Sequence, residues 1–398
     1  MPKKENMLNK EEILADYRLV YKSRQASLIG RREVLSGKAK FGIFGDGKEV
    51  AQLAIAHAFK KGDWRSGYYR DQTWLLGLGV LTFDQFFAQL YAHADLDFEP
   101  ATAGRAMNAH FASRYLNSDG SWKDQTQLYN ISADVSPTGS QMPRLVGLAF
   151  ASRLYRESED LKAFTTFSHN GDEVAWGSIG NASTAEGMFW ESVNAIGVLK
   201  APAVITIYDD GFGISVPNKF QMVKENIGEI ISGFQRVDNP DLKRDRGYDI
   251  YTVRAWDYPA LLDTYWAAAK TAREYHIPAL VHVTEVTQPQ GHSTSGSHER
   301  YKSKERLEWE VEFDCNTKMR TWILENNIAT EDELAVIEKE DRKEVEYARK
   351  RAWDAFQQPI IAERSEVIEM LSELREGVSE KDEIKAIQSN LMGKPIAQ

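Results

Sequence analysis

Cysteine is nearly missing from this sequence: Cys315 is the only one in 398 residues. One thiol cannot form an intramolecular disulfide or a cysteine-built zinc site. That economy fits a reducing cytoplasm, where the chain is expected to reside. Positive charge is also in deficit, with 49 Lys and Arg against 59 Asp and Glu and a net charge of -10. A broad basic face for nucleic acid is therefore not expected, although a local basic pocket is compatible with the balance. Long apolar runs are lacking too. The longest, Trp74 to Phe83, covers about half a bilayer crossing and contains two glycines, so no membrane association is expected. The stretch Met1 to Lys10 is polar and lacks the apolar core of a secretory leader. What is present is globular in composition, 42% hydrophobic and 27% charged. The length suggests two or three units of about 150 residues each.

Periodicity organises the chain. Ile13, Leu14, Tyr17, Val20, Tyr21 and Leu28 predict a helix over 11–36, followed by a glycine-crowded segment, Phe41 to Gly47. Further helices are expected over 49–60 and 82–93. In the middle, strand candidates at 163–167, 203–208, 248–253 and 280–286 alternate with helix candidates at 141–155, 184–199 and 258–275. Alternation of this kind, with apolar runs such as Ala203-Val-Ile-Thr-Ile207, predicts an α/β fold whose parallel sheet is flanked by helices. After Arg300 the chain turns helical and charged. Thr330-Glu-Asp-Glu333 is a capping-box start, and 331–351 reads as a solvated helix or linker. The expected division is a helical segment over 1–40, an α/β domain over 41–325 and a charged helical tail over 326–398.

The densest chemical information lies in Gly180-Asn-Ala-Ser-Thr-Ala-Glu-Gly187. Ser183 and Glu186 have capping-box spacing, and a helix start offers free N–H groups and partial positive charge to a phosphate. The expected helix leads into the strand Ala203–Tyr208, which ends in Asp209-Asp210-Gly-Phe-Gly-Ile-Ser215. Ligands of open α/β sheets bind at the carboxyl ends of strands, where a hard cation could join diphosphate oxygens to Asp210. A cap and a turn would each be unremarkable alone. Their connection through one helix and one buried strand points to a diphosphate and magnesium site.

This run resembles the thiamine diphosphate signature, Gly-Asp-Gly followed by Glu-Gly and, after a helix and strand, Asn-Asn. The family it looks like is the alpha subunit of 2-oxo acid dehydrogenases, the decarboxylating component of branched-chain and pyruvate dehydrogenase complexes. Asn181 falls at the motif aspartate, Asp210 at the ligand asparagine, and Phe212 at the residue lending a main-chain carbonyl to the metal. Asn181 is neutral and Asp210 charged, so the two roles look exchanged with the formal charge kept. A second register, through Gly171-Asp172-Glu173, is the alternative; it lacks the following Glu-Gly.

The resemblance extends over about residues 11 to 320. Tyr69-Arg70 resembles the family's Tyr-Arg pair, whose arginine suits a phosphate fork. Gly104-Arg105-Ala-Met-Asn-Ala-His110 resembles a segment of branched-chain enzymes. Ser136-Pro-Thr138-Gly-Ser140-Gln141 resembles a loop that in relatives touches the cofactor and a structural potassium ion; here a few extra residues precede it. Gly291-His292-Ser293-Thr-Ser resembles the active-site loop, with His298 as a nearby second histidine, and relatives carry a phosphorylated serine at the place of Ser293. The resemblance implies a thiamine-diphosphate-binding fold with helical N- and C-terminal extensions. It implies thiamine diphosphate, Mg2+ and potentially K+ as cofactors, with Asn181, Asp210 and Phe212 on the metal. The implied cofactor-binding residues are Tyr69, Arg70, Ser136, Thr138, Gly180, Asn181, Ala182, Ser183, Tyr208, Asp210, Phe212, Ile214 and His292, the last also in a catalytic role. The implied reaction is oxidative decarboxylation of a 2-oxo acid, branched-chain before pyruvate, with acyl transfer to a lipoyl-bearing acyltransferase. The glutamate that activates the cofactor would come from a beta subunit, giving a heterotetramer, or from a fused C-terminal half. A transketolase-like enzyme and a thiamine-fold protein without metal binding are the competing expectations. Gly-Arg-x-Met and Gly-His-Ser-Thr-Ser weigh against the transketolase reading.

Overall fold

A computed structural model describes residues 8–237 and 246–394. The first helix, α1 (Lys10–Leu35), is stopped at its start by a capping box between Asn9 and Glu12. After the glycine-rich segment come α2 (Glu49–Ala58), strand β1 (Trp64–Ser66), α3 (Gln72–Gly77), α4 (Phe83–Leu90) and strand β2 (Asn130–Ile131). The centre comprises α5 (Gln141–Glu157), β3 (Ala175–Gly180), α6 (Gly187–Leu199), β4 (Ala203–Tyr208), a small hairpin of β5 (Phe212–Gly213) and β6 (Val216–Pro217), and α7 (Ile227–Ile231). Then follow β7 (Asp249–Arg254), α8 (Tyr258–Tyr275), β8 (Ala279–Thr284), α9 (Lys304–Glu312), α10 (Cys315–Glu325), α11 (Glu331–Gly377) and α12 (Lys381–Gly393).

Six strands form one parallel sheet in the order β2-β1-β3-β4-β8-β7. Side chains of a strand alternate between faces, and the two apolar layers follow that parity. Ala203, Ile205 and Ile207 pack with Leu145 and Ala149 of α5 and Phe189, Val193 and Ile196 of α6. Val204 and Tyr208 face the other way, into a layer with Val50 and Leu53 of α2 and Leu261 and Tyr265 of α8. Every residue of β4 is buried, as expected of a central strand covered on both faces. The register sets Gly180 level with Tyr208, and Tyr208 level with Val283. The chain therefore leaves three adjacent strands at one height, along the edge where such sheets bind ligands.

Most of the expected elements form, with three corrections. Residues 163–167 are turns and not a strand, with Phe164 exposed and Phe167 against Trp122. The strand of this part of the chain is β3, which begins at Ala175 and is missed because Trp176-Gly-Ser-Ile-Gly180 has weak strand propensity; pairing with β1 and β4 on both sides overrides it. The capping box expected at Ser183 and Glu186 does not form. Residues Asn181–Ala185 make a 3-10 turn, and α6 begins one residue after Glu186 without a side-chain cap. The stretch read as a solvated helix is helical and opens on the expected Thr330–Glu333 box, but one stripe of it is buried: Leu334, Ile337, Asp341, Val345, Ala348 and Ala352. Steps of three and four place these on one face. The stripe looked polar because it contains Asp341 and two alanines. Arg18 of α1 pairs with Asp341 at 2.7 Å, and Tyr17 donates to Glu338 at 2.6 Å. Among the described residues no helix is long and apolar enough to cross a membrane.

Leu334 is fully buried, whereas Leu374, on the same helix, is 52% exposed. Leu334→Ala should therefore cost about 2–5 kcal/mol in denaturant unfolding, and Leu374→Ala no more than about 0.5 kcal/mol. Equal effects would contradict the docking of α11 onto α1.

Candidate functional site

A cavity of about 330 Å³ opens at the carboxyl edge of the sheet. Each neighbouring connection contributes to it. Tyr68, Tyr69 and Arg70 come from the turn after β1. Gly180, Asn181, Ala182 and Ser183 follow β3, and Asp210, Phe212, Gly213 and Ile214 follow Tyr208 at the end of β4. Gln288 and His292 come from the segment after β8, Thr138 from the loop before α5, and Lys48 from the start of α2. The cavity thus gathers twelve of the thirteen residues expected at a cofactor. Ser136 is the exception: its hydroxyl lies 2.9 Å from His110 Nε2, so it braces a loop. Lys48, Tyr68, Gly213 and Gln288 were not foreseen.

Glycine lets these loops close on one another. A Cβ on Gly45 would lie 2.2 Å from the Arg70 carbonyl oxygen. Gly47 adopts φ +85, and a Cβ there would lie 1.9 Å from the Thr287 carbonyl oxygen. The segment 45–48 is therefore wedged between the Arg70 turn and the 287–292 segment, where only glycine fits. The Arg70 turn is fixed from below: Asp71 accepts from Arg65, Ser178 and the Tyr68 amide, and Arg65 also donates to the Tyr68 carbonyl. The 287–296 segment is held by α1. Arg31 donates to the carbonyls of Gln290 and Ser293 at 3.0 and 3.2 Å, while Thr294 pairs with Gly42.

One wall of the cavity is cationic. Arg70 is 4% exposed and donates to the carbonyls of Phe44 and His292 and to His292 Nδ1, at 2.7, 2.8 and 3.0 Å. None of these acceptors carries a negative charge. Lys48, 3% exposed, donates to Gln288 Oε1 at 3.1 Å. Burial, assisted by Arg70, lowers its pKa from 10.5 to about 8. Burial, Arg70 and Lys48 also push His292 down from 6.5 to about 3. The ring is thus neutral near pH 7. With Nδ1 accepting from Arg70, Nε2 carries the proton and can donate.

The facing wall offers oxygens. Asn181 Nδ2 donates to Asn218 Oδ1 at 2.7 Å, which leaves Asn181 Oδ1 an acceptor that no described group donates to. Asp210 Oδ1 takes the Phe212 amide at 3.1 Å, and its other oxygen takes no bond from a described group. The 180–183 and 212–213 segments touch, since a Cβ on Gly213 would lie 2.7 Å from Ala182 Cβ. An amide oxygen, a carboxylate and the Phe212 carbonyl make a hard donor set suited to Mg2+. Asp209 is already committed, to His282 at 3.0 Å and to the Gly211 amide. Together the cationic wall and the oxygen wall suit a diphosphate with its metal.

The remaining candidates lie elsewhere. Asp172 precedes β3 and so sits at the opposite edge of the sheet, beside Arg156 at 3.5 Å. Arg105 is exposed, and His110 is buried against Asn108 and Ser136. His298 flanks a separate groove, and the Ser293 hydroxyl is buried beside that of Ser295.

The sequence model of the family described as dehydrogenase E1 component matches residues 17–361. The 2-oxoisovalerate dehydrogenase subunit alpha of Bacillus subtilis is 26% identical over 321 residues, 79% of this chain and 84% of the relative. The mitochondrial 2-oxoisovalerate dehydrogenase subunit alpha 2 of Arabidopsis thaliana is 28% identical over 296 residues, 73% of this chain and 52% of the relative. The mitochondrial pyruvate dehydrogenase E1 component subunit alpha of Solanum tuberosum is 26% identical over 312 residues, 77% and 66% of the two chains. The chain therefore spans most of the bacterial relative and from about half to two thirds of these plant relatives.

A depressed histidine pKa means that the unfolded chain takes up a proton the folded one refuses. His292 therefore contributes a loss of stability as pH falls from 6.5 toward about 3. Nitrogen-15 spectra should show His292 as a non-titrating Nε2–H tautomer between about pH 5 and 8. A midpoint near the ordinary histidine value would contradict the geometry.

Proposed function

The chain belongs to the dehydrogenase E1 component family, and on that premise we propose that it is the cofactor-holding component of a 2-oxo acid dehydrogenase, with residues 41–325 as the thiamine-diphosphate-binding unit. One observation carries the reading: a buried arginine with no carboxylate among its hydrogen-bond acceptors shares one cavity with a carboxylate that accepts a single backbone amide and with an amide oxygen to which no described group donates. A buried cation lacking a counter-charge is costly, and an anion entering the cavity would supply one. When bound, thiamine diphosphate accepts the electrons released as a 2-oxo acid loses carbon dioxide, chemistry that no side chain provides.

The chain's own residues bind and orient. In this reading Arg70 holds a phosphate oxygen, with Tyr69 stacked on its guanidinium at 5.2 Å. His292 donates from Nε2 to the diphosphate and, in its catalytic role, keeps a proton donor beside the reacting acyl group. Asp210, Asn181 Oδ1 and the Phe212 carbonyl take Mg2+; Asp210 supplies the anion that Asn181 does not. Gly180 leaves the backbone before Asn181 open to the ligand, since a Cβ there would meet nothing within 4 Å. A potassium ion against the 136–141 loop belongs to the same proposal.

The relatives' names divide between 2-oxoisovalerate and pyruvate. We favour the branched-chain acid on the Gly104–His110 segment. The family implies a beta subunit and a lipoyl-bearing acyltransferase as partners; that the beta subunit, or a fused second half, brings the activating glutamate is part of the proposal. So is a cytoplasmic setting, with which the single buried thiol of Cys315 agrees.

Asp210→Asn should raise the Mg2+ concentration needed for half-saturation by cofactor about tenfold or more, read by calorimetry, because the one anionic ligand is lost. Arg105→Ala, at an exposed position, should leave it unchanged. Unaltered magnesium dependence in D210N would remove Asp210 from the metal. With a beta subunit present, carbon dioxide should be released from 2-oxoisovalerate, pyruvate or 2-oxoglutarate; silence on all three would end the dehydrogenase reading.

A further inference from the structure

Lys48 has no part in the motifs that point to this site, yet it lines the cavity. It sits at the N-cap of α2 with φ -123 and ψ 4, where its side chain gives no cap to the helix. The backbone beneath it is pinned by the approach of Gly47 to the Thr287 carbonyl. The ammonium group is buried, and its one protein partner is the neutral Gln288. Among the described residues it forms no ion pair.

Nearby carboxylates are already engaged. Glu49 accepts from Arg24 at 2.6 and 2.9 Å and from the Gly47 amide. Asp46 accepts from the Gln290 amide at 3.1 Å. Asp210 belongs to the oxygen wall. Burial and Arg70, the other cation of the cavity, disfavour the charge on Lys48 and outweigh the attraction of Asp210, Asp46 and Glu49. A buried charge in this state should be replaced by a neutral residue unless a ligand completes it.

We propose that Lys48 is a second diphosphate-binding residue, its ammonium donating to a phosphate oxygen beside the one held by Arg70. The inference rests on the thiamine diphosphate reading and names a residue that reading does not require. Two adjacent cations match the charge of a diphosphate better than of a monophosphate. They also leave Asp210 free for the metal. The competing role for Lys48 is that of a strut holding Gln288, which an uncharged side chain could share.

The test measures binding, not turnover. Wild type, Lys48→Gln, Lys48→Met and Lys48→Arg are titrated calorimetrically with thiamine diphosphate and with inorganic pyrophosphate, each with Mg2+. Both uncharged variants should bind about 10–100-fold more weakly, the effect of one charge-assisted hydrogen bond, and K48R should recover most of the loss. Without ligand, K48M should melt no lower than wild type, because it removes a buried charge that has no direct ion-pair partner among the described residues and whose desolvation outweighs its attractions. Equal affinities for wild type, K48Q and K48M overturn the role of Lys48 while leaving the site intact. Ligand-free melting of K48M well below wild type makes Lys48 a strut and also overturns it. A wild type that binds neither ligand, even with a beta subunit present, overturns the reading of the site itself.

Discussion

Arg70 is kept almost out of water by groups with no charge to offer it, the carbonyls of Phe44 and His292 and the His292 ring. The surrounding architecture makes that arrangement tolerable. Because the guanidinium occupies Nδ1 of His292, the imidazole stays neutral and its proton stays on Nε2. Arg70 and Lys48 repel each other and, among the described residues, neither forms a direct ion pair; Glu49 and Asp46 attract Lys48 but accept their hydrogen bonds from Arg24 and from backbone amides. Two buried cations thus line one small cavity, although the chain as a whole is acidic.

Holding the cations there requires rigidity that comes from beneath. Asp71 gathers donors from Arg65, Ser178 and the Tyr68 amide, and Arg65 reaches on to Asp134 at 3.1 Å. An ion pair this buried gains little net stability, since desolvation cancels most of the attraction. Its effect is geometric: it fixes one conformation of the turn from which Arg70 projects. The parallel sheet does the same on a larger scale by bringing Gly180, Tyr208 and Val283 to one level.

Where local pattern and packing agreed, the sequence was a good guide. The strand 203–208 and the helix 258–275 form over the expected residues, because apolar parity and amphipathic spacing are local properties. The strand 175–180 was hidden by its glycines and serine; it exists because two neighbours pair with it. At the site, Asn181, Asp210 and Phe212 are named by the resemblance to the thiamine diphosphate signature, and the cavity brings them together; Asp172 lies at the other end of the parallel strands. Lys48 could not be read this way. Its membership depends on Gly45 and Gly47 allowing two distant segments to touch their backbone, and a glycine-rich stretch does not announce what it approaches.

The clasp between α1 and the 287–296 segment joins parts of the chain about 260 residues apart. Made on a ribosome, Arg31 must wait until about 260 further residues have been added before the carbonyls it will hold exist. Until then its cationic end and the glycine-rich segment beside it stay uncovered, and contacts this remote in sequence are slow to form. The segment that carries His292 is consequently secured by a contact remote in sequence and not by its own neighbours. The anion site is therefore a property of the whole fold: a phosphate-bearing molecule finds a finished place to bind only where both ends of this long loop have met.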